Sequence, residues 1–340
     1  MQESFRFGII GAGVISEYHA RAIEAHPDGK IAAVSDLDRT RAEKFAAAHR
    51  CEVVDDWHDM VKRPDIEAVC VCSPTGLHAE HSIGALRAGK HVMVEKSMAI
   101  NLREATDMIK TARDRGLQLG VIFQKRTEEA PNRIKRAIAD GRFGKLVFGD
   151  ASIKYWRNQA YYDSADWRGT WALDGGCMAN QGIHAIDQLC WMCGPVKTVN
   201  YCHIQTAMHK MEAEDVGIAI LTFENGAHGV IEATTCCYPG MGMKTEVYGT
   251  NGSAAFDGNR VTMFEVQGEK IDLGGQKAAK SDGRSDPLAI GLEGHAAQLL
   301  DLVNCIREGT RPLVDGREAR VAVDALTKLY NAAGIKKIGT

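Results

Sequence analysis

The sequence predicts an α/β protein in two domains, a doubly wound parallel-sheet domain followed by an α+β domain. Three observations predict it. Short apolar runs alternate with helical patterns through the first 123 residues, the signature of parallel strands joined by helical crossovers. The first apolar run ends in a glycine turn that opens a helix. Beyond residue 127 the pattern changes to strand-like segments joined by tight turns. At 340 residues the chain is also long for a single core. The expected boundary lies near residues 123–127, which gives domains 1–125 and 126–340.

Phe5 to Ile10 is a short apolar run followed by glycine and reads as a buried strand. Val14 to His26 is helical, Lys30 to Ser35 a second strand, and Arg39 to His49 helical again. Ala68 to Cys72 is a third apolar run, and Ala79 to Ala88 a helix that Gly89 stops. His91 to Val94 is strand, Leu102 to Arg115 helix and Gln118 to Phe123 strand. In the second part, Lys145 to Tyr155, Val216 to Phe223, Ala227 to Thr235 and Lys244 to Tyr248 read as strands. Glu224-Asn225-Gly226 and Asn251-Gly252 are the expected hairpin turns. One helix is expected over Cys177 to Cys193 and another over Glu293 to Glu308. A last helix, Ala319 to Ala333, is expected to pack back on one of the two domains.

Composition narrows the function. The formal net charge is −3, so no strong field favours nucleic acid or an anionic membrane. No apolar run reaches the ~18 residues of a membrane span. Met1-Gln2-Glu3-Ser4 leads into a strand pattern without a basic and apolar leader. With ten cysteines and no secretory signal, the expectation is free thiols and a cytoplasmic protein. Cys190 and Cys193 have C-x-x-C spacing inside an apolar helical pattern, with no second pair nearby, and read as packing. Cys70 and Cys72 alternate with valine and read the same way. No compact set of His, Cys and carboxylates has ligand spacing, so no metal is expected.

The first strand runs into Gly11-Ala12-Gly13-Val14-Ile15-Ser16 and then a helix. Gly11 permits a tight turn, and Gly13 lets the backbone approach a pyrophosphate seated on the helix N-terminus. Ser16 stands at the third fingerprint position, where a small residue still allows close helix–strand packing. The motif alone is weak, but here it follows a strand and opens a helix. The second strand ends in Asp36, where a carboxylate suits a ribose 2′-hydroxyl and repels a 2′-phosphate. The expected cofactor is therefore NAD rather than NADP, although Arg39 lies three residues later and offers a phosphate partner. The third strand ends in Ser73-Pro74-Thr75-Gly76-Leu77-His78, a polar turn at the carboxyl end of a parallel strand. Thr75 and His78 read equally as cofactor contacts and as a turn with a helix cap.

Two segments carry candidate chemistry. His91 to Lys96 places Glu95 and Lys96 at the end of a sheet strand. A lysine beside an oxidised nicotinamide has its pKa lowered by the positive charge and by desolvation. The second is Asp174 to Asp187. If helical from Cys177, it puts Asn180, His184 and Asp187 on one stripe at i, i+4 and i+7. A cleft wall and a solvated or core face both fit that stripe. The segment from Tyr155 through Trp156-Arg157 to Trp167-Arg168 and Trp171 is rich in aromatics and arginines, which suits either a sugar or nucleotide site or an interface.

Together these motifs resemble the Gfo/Idh/MocA oxidoreductases over nearly the whole chain. The residues that carry the resemblance are Gly11-x-Gly13, Ser73-Pro74-Thr75-x-x-His78, Glu95-Lys96, Trp167-Arg168, Asp174-Gly175-Gly176, His184-x-x-Asp187, Tyr248-Gly249-Thr250-x-Gly252, His295 and Arg311-Pro312-Leu313. The resemblance implies a Rossmann domain plus an α+β domain whose large, open, mostly antiparallel sheet forms dimer or tetramer contacts. It implies that Lys96 is catalytic and close to the cofactor, and that His184 is the proton-transfer partner. It extends the cofactor set to Val14, Ile15, Glu95, Gln124, Trp167 and Arg168, and the substrate set to Tyr155, Arg157, Asn180 and Asp187 beside Lys96 and His184. Two departures stand out: Ser97 replaces the proline after the lysine, and Asn180 replaces an aspartate four residues before His184. The implied reaction is hydride transfer between a nicotinamide and a secondary alcohol or ketone of a sugar, sugar derivative or cyclic polyol. A redox-neutral, NAD-dependent cleavage of a glycoside and a non-catalytic sugar or dinucleotide sensor are the alternatives.

Overall fold

The computed structural model describes residues 4–258, 260–271 and 291–335. The chain divides into two compact units: Met1–Gln124 with Leu292–Arg320, and Lys125–Gly291 with Val321–Thr340.

The first unit begins with β1 (Phe5–Ile10), α1 (Val14–Glu24), β2 (Gly29–Ser35), α2 (Arg39–His49), β3 (Glu52–Val53) and α3 (Trp57–Met60). It continues with β4 (Ala68–Val71), α4 (His78–Arg87), β5 (His91–Val94), α5 (Leu102–Arg115) and β6 (Leu119–Val121). The six strands form one sheet in the order β3-β2-β1-β4-β5-β6, with all pairs parallel. That order reverses direction between β1 and β4, and ligands bind such sheets at the carboxyl ends beside the reversal. Helices cover both faces, so strands such as Ala68-Val-Cys-Val71 are apolar throughout instead of alternating. Helix starts are set by local caps: the Asp38 side chain accepts from Arg41 N–H, and that of Asn101 from Glu104 N–H.

The second unit contains α6 (Glu129–Ala139), β7 (Leu146–Lys154), α7 (Gln159–Asp163), α8 (Cys177–Asn180), α9 (Ile183–Cys193) and β8 (Val196–Gln205). Then come β9 (Val216–Phe223), β10 (His228–Thr234), β11 (Gly242–Gly249), β12 (Gly252–Asp257), β13 (Arg260–Val266) and β14 (Glu269–Lys270). These strands form one sheet in the order β14-β13-β12-β11-β7-β10-β9-β8. All pairs are antiparallel except β7 with β10. The expected turns fall where Glu224-Asn225-Gly226 joins β9 to β10 and where Asn251 joins β11 to β12. One face of the sheet is covered by α9, which is buried almost all round. Gly149 of β7 is required there, because a Cβ would lie 2.6 Å from Cys193 Sγ.

Two expectations need correction. The helix foreseen over Cys177–Cys193 is two helices. Gly182 N–H bonds the Cys177 carbonyl five residues back, which interrupts the four-residue ladder, and a Cβ at Gly182 would meet Met178 backbone at 2.8 Å. The expected split at residue 125 also misplaces the next helix, α10 (Glu293–Glu308), which belongs to the first unit. Its Leu299, Leu302 and Val303 join Phe7, Ile9 and Met93 in one core. The buried Gln298 amide donates to the Val121 carbonyl and accepts from Phe123 N–H, satisfying backbone at the sheet edge. The last helix, α11 (Gly316–Ala332), contributes residues up to Arg320 to the first unit and from Val321 to the second. Among the described residues no helix is long and apolar enough to cross a membrane.

Candidate active site

The sequence places the glycine turn at the carboxyl end of β1, and its geometry shows why each glycine stands there. Gly11 has φ +96°, and a Cβ would lie 2.8 Å from the Cys72 backbone, so β1 and β4 approach there only through glycine. Gly13 has ordinary φ, and a Cβ there would meet nothing within 4 Å. The open space at Gly13 lies at the N-terminus of α1, whose N-cap glycine has no side chain to occupy the orphan N–H groups. Val14 and Ile15 begin that helix, and the Ser16 hydroxyl donates back to the Gly13 carbonyl. Asp36, one residue past β2, accepts from Ala12 N–H at 2.7 Å and Asp38 N–H at 2.7 Å. The arginine on Asp36 is Arg41, at 3.1 Å, whereas Arg39 pairs with Glu43 and Asp55. These residues fit a dinucleotide: an uncapped helix start, backbone open at Gly13, and a carboxylate fixed at the neighbouring strand end.

Beyond β4, Ser73 and Pro74 lead into a short 3₁₀ turn, Thr75–Leu77. The His78 ring is buried and spans two carbonyl oxygens, Ser73 O at 2.8 Å from Nε2 and Ser97 O at 2.7 Å from Nδ1. Burial lowers its basicity, and a neutral ring donates one N–H to the two carbonyls. The Ser73 hydroxyl lies 2.9 Å from His81 Nδ1. His78 thus lies between the loop after β4 and the loop after β5, within reach of a carbonyl of each.

Glu95 and Lys96 follow β5. Glu95 is buried, with Oε1 2.9 Å from His19 Nε2 and 3.3 Å from His295 Nε2, while Oε2 accepts from Lys96 N–H at 3.2 Å. Burial opposes ionisation of Glu95, but the two histidines overcome it and hold the carboxyl well below its usual range. Burial also lowers His19, against the pull of Glu95. Lys96 is half-buried, and its bond to Ser97 is cis. Gln124 ends the first unit against Gly294, where a Cβ would lie 2.6 Å from Gln124 Cβ.

In the second unit the helix break redistributes the expected stripe. Asn180 ends α8 and donates to Asp174 Oδ1 at 2.6 Å. His184 is half-buried in the first turn of α9. Asp187 turns away into the core, where Arg126 pairs with both of its oxygens at 2.6 and 3.0 Å. That buried arginine engages both carboxylate oxygens, and of the stripe only His184 and Asp187 share one helix. Ahead of α8, Tyr161 is a hub: its hydroxyl accepts from Arg168 at 2.7 Å, and the Arg168 guanidinium lies 4.3 Å from its ring centre. Arg157 is buried and stacks on Tyr155 and Tyr161, while Arg168 also covers Trp167. A buried and a half-buried cation against aromatic faces make a wall suited to a polar ring or an anion. Lys154 instead pairs with Glu232.

Comparison with known proteins agrees with this geometry. Residues 5–123 match the oxidoreductase family with an NAD-binding Rossmann fold, and residues 132–255 match the GFO/IDH/MocA C-terminal domain. The uncharacterized oxidoreductase YrbE of Bacillus subtilis (strain 168) is 33% identical over 264 residues, covering 76% of this chain and 75% of that protein. The chain belongs to the Gfo/Idh/MocA oxidoreductase family. The crystal structure of the WlbA dehydrogenase from Bordetella pertussis in complex with NADH and UDP-GlcNAcA has a TM-score of 0.87 and 31% identity, covering 98% of this chain and 97% of that one. Myo-inositol 2-dehydrogenase of Thermotoga maritima is 25% identical over 335 residues, covering 94% of this chain and 93% of that protein. The first unit is accordingly an NAD-binding Rossmann domain.

Within this Gfo/Idh/MocA chain, sequence reasoning missed several site groups. His19 was invisible because its partner Glu95 is remote in sequence, and Arg41, close to Asp36 in sequence, was passed over for Arg39. The structure also brings together two sets with metal-ligand chemistry, His19–Glu95–His295 and His209–Asp215–Cys236, which spacing did not foresee. In the second, Asp215 already accepts three backbone N–H groups and His209 Nδ1, so it serves as a loop cap. The thiols of Cys190 and Cys193 are buried, and burial pushes Cys193 up to about 12, which fits packing.

Proposed function

We propose that the protein is an NAD-dependent dehydrogenase or reductase that moves hydride between the nicotinamide and a secondary alcohol or ketone of a sugar, sugar derivative or cyclic polyol. The observation that carries the reading is the placement of Lys96. It stands at the carboxyl end of β5 in the parallel sheet that holds the Gly11–Gly13 turn at the carboxyl end of β1. Parallel strands put both on one edge of the sheet, so dinucleotide and lysine share one crevice. Bound NAD supplies the hydride acceptor. Lys96 orients the substrate hydroxyl and holds negative charge on its oxygen through a charge-assisted hydrogen bond. His184 takes the hydroxyl proton, its ordinary pKa lying near neutrality. Trp167 and Arg168 contribute to cofactor contact, and Tyr155, Arg157 and Asn180 to substrate contact. The 31% identical dehydrogenase holding UDP-GlcNAcA makes nucleotide sugars the first compounds to try.

The test is absorbance at 340 nm with NAD, and separately NADP, against nucleotide sugars, free sugars, inositols and glycosides. A rise with NAD that Lys96→Ala lowers by about a thousandfold, with NAD still bound, supports the scheme. Unchanged turnover in that variant sinks it. Tightly held cofactor with product formed from a glycoside but no net rise would move the reading to redox-neutral cleavage. Cofactor binding without any product would move it to a sensor.

The second sheet supports a homo-oligomer on the same reading. Tyr201, Ile218 and Ile220 of β8 and β9 are exposed on the face away from α9, with Ile220 opposite Tyr201. An apolar sheet face of this kind suits a second copy of the chain. Light scattering on Ile220→Glu should report a smaller particle than the parent; an unchanged mass would remove this face from consideration.

A further inference from the structure

We propose that Arg168, held against the rings of Trp167 and Tyr161, is a receptor for an oxyanion carried by the substrate, so that the compound turned over is a sugar derivative bearing a carboxylate or a phosphate. The inference deepens the reading above and rests on it: Arg168 stands with the cofactor contacts in that reading, and its unengaged edge is given to the charge of the substrate.

Arg126 shows how this chain holds a structural arginine: it is buried, and its fork meets both oxygens of Asp187 at 2.6 and 3.0 Å. Arg168 is held in another way. Its Nε donates to the Ser164 hydroxyl at 3.1 Å, and its Nη1 donates to the Tyr161 hydroxyl at 2.7 Å. Its guanidinium lies 4.3 Å from the Tyr161 ring centre and 4.5 Å from that of Trp167. Among the described residues no carboxylate pairs with it. Hydroxyls and aromatic faces thus fix the cation without cancelling its charge. The N–H donors on Nη2 meet no acceptor among the described residues. The Nη1–Nη2 edge is the one that matches a carboxylate or phosphate with two parallel hydrogen bonds. Arg168 is only half-buried, so a ligand reaches it.

The surroundings strengthen the same field. Arg157 is buried, donates to the Trp156 carbonyl at 2.7 Å and lies 5.4 Å from the Tyr161 ring centre. One tyrosine ring therefore carries two guanidiniums, and like charges gathered there favour a bound anion. Asp174, the buried acid of this segment, accepts from Gly169 N–H at 2.7 Å and from the Asn180 amide at 2.6 Å. Tyr161 is the positioning residue of the set, since its hydroxyl and its ring both act on Arg168.

The experiment is calorimetric titration of the NADH-loaded full chain with glucose, glucuronate, UDP-GlcNAc and UDP-GlcNAcA, for wild type, Arg168→Gln, Arg168→Lys and Tyr161→Phe. Binding is the readout, so no turnover is needed. Wild type should bind an anionic probe about thirtyfold more tightly than glucose, and Arg168→Gln should abolish that margin while leaving glucose unchanged. Arg168→Lys keeps the charge but loses the fork, and should lose about tenfold on the anionic probe; Tyr161→Phe should lose about fivefold. An Arg168-dependent gain from UDP-GlcNAc to UDP-GlcNAcA assigns the anion to a sugar carboxylate, and equal dependence for the two assigns it to the diphosphate. Where a probe is turned over, Arg168→Gln should raise its KM by about thirtyfold with kcat within about fivefold. An anionic margin that is the same in wild type and Arg168→Gln overturns the site, as does a wild type that binds no anionic probe. Equal weakening of NADH and of every probe in Arg168→Gln also overturns it, because the arginine then serves the cofactor alone. Should Arg168→Gln fail to fold, Arg168→Lys and Tyr161→Phe decide, and an unchanged margin in both overturns the site. Arg168-dependent binding of an anionic probe with no turnover of any compound would uphold the site and count against the dehydrogenase reading alone.

Discussion

The two units hold their chemistry in different ways. In the first, every candidate group stands where a strand stops: Gly11 after β1, Asp36 after β2, Ser73 after β4, Glu95 and Lys96 after β5. A parallel sheet fixes those ends in a row, and local bonds such as Ala12 N–H to Asp36 finish the job. In the second, the candidate groups lie on two short helices and the coil before them, and a buried arginine–aspartate pair holds the scaffold. Strand ends carry positional information in their order; a broken helix carries it only through tertiary contacts.

The sharpest way to break that comparison is Arg126→Ala. It leaves Asp187 buried without its cation, and should cost about 3–5 kcal/mol in denaturant unfolding. Replacing both residues by apolar ones of similar volume should recover most of it. A loss below 1 kcal/mol from the single change would mean that the second unit does not depend on this pair.

Next in size is the pH response at Glu214, whose carboxyl is buried against Met178 N–H and the Tyr330 hydroxyl and is pushed up to about 7, chiefly by burial. A carboxyl raised in the folded state favours folding below its unfolded pKa, and that contribution is lost as pH climbs through the folded value. Stability should thus fall by about 3 kcal/mol from this group between pH 4.5 and above 7. Glu214→Gln should flatten that slope, as thermal melts at pH 5 and pH 8 would reveal.

The two glycines of the turn then sharpen the strand-end half of the comparison. Gly11→Ala should lose about 1–3 kcal/mol of stability, since its φ is positive and the Cβ meets backbone. Gly13→Ala meets no protein atom, so it should melt within about 0.5 kcal/mol of the parent yet bind NAD about tenfold more weakly. Equal melting losses in the two would show that the turn serves packing alone. The smallest effect is expected at Asp36→Asn, which keeps an acceptor for Ala12 N–H but removes charge. Preference for NAD over NADP should drop by about tenfold, measured by binding of each nucleotide.

Much of the fold was legible because period and punctuation agree. The expected spans of β1, α2, β5, α5, β9 and α10 coincide with the observed ones, and alternating strands and helices could form only a parallel sheet. The short β3 and α3 were not legible, since two and four residues leave no periodic trace. The fate of α10 was hidden for a different reason: nothing local in Glu293–Glu308 says which sheet needs a glutamine at its edge. At the site, Gly11, Asp36 and Lys96 follow from strand ends. The stripe of Asn180, His184 and Asp187 assumed an unbroken helix, whereas Gly182 separates Asn180 from the helix that carries His184 and Asp187. Arg41 was overlooked in favour of Arg39, two residues away, because reach along a helix start depends on which partners are nearer.

Gln298 and its helix also set a timetable. The amide that secures the edge of the first sheet, and the leucines that complete its core, leave the ribosome only after the whole second sheet has been made. A nascent chain ending at Gln124 has all six parallel strands yet an unfilled hollow over Phe7, Ile9 and Met93 and unpaired backbone at Val121 and Phe123. The nucleotide-binding half, first in sequence, therefore waits for a segment made after the second sheet.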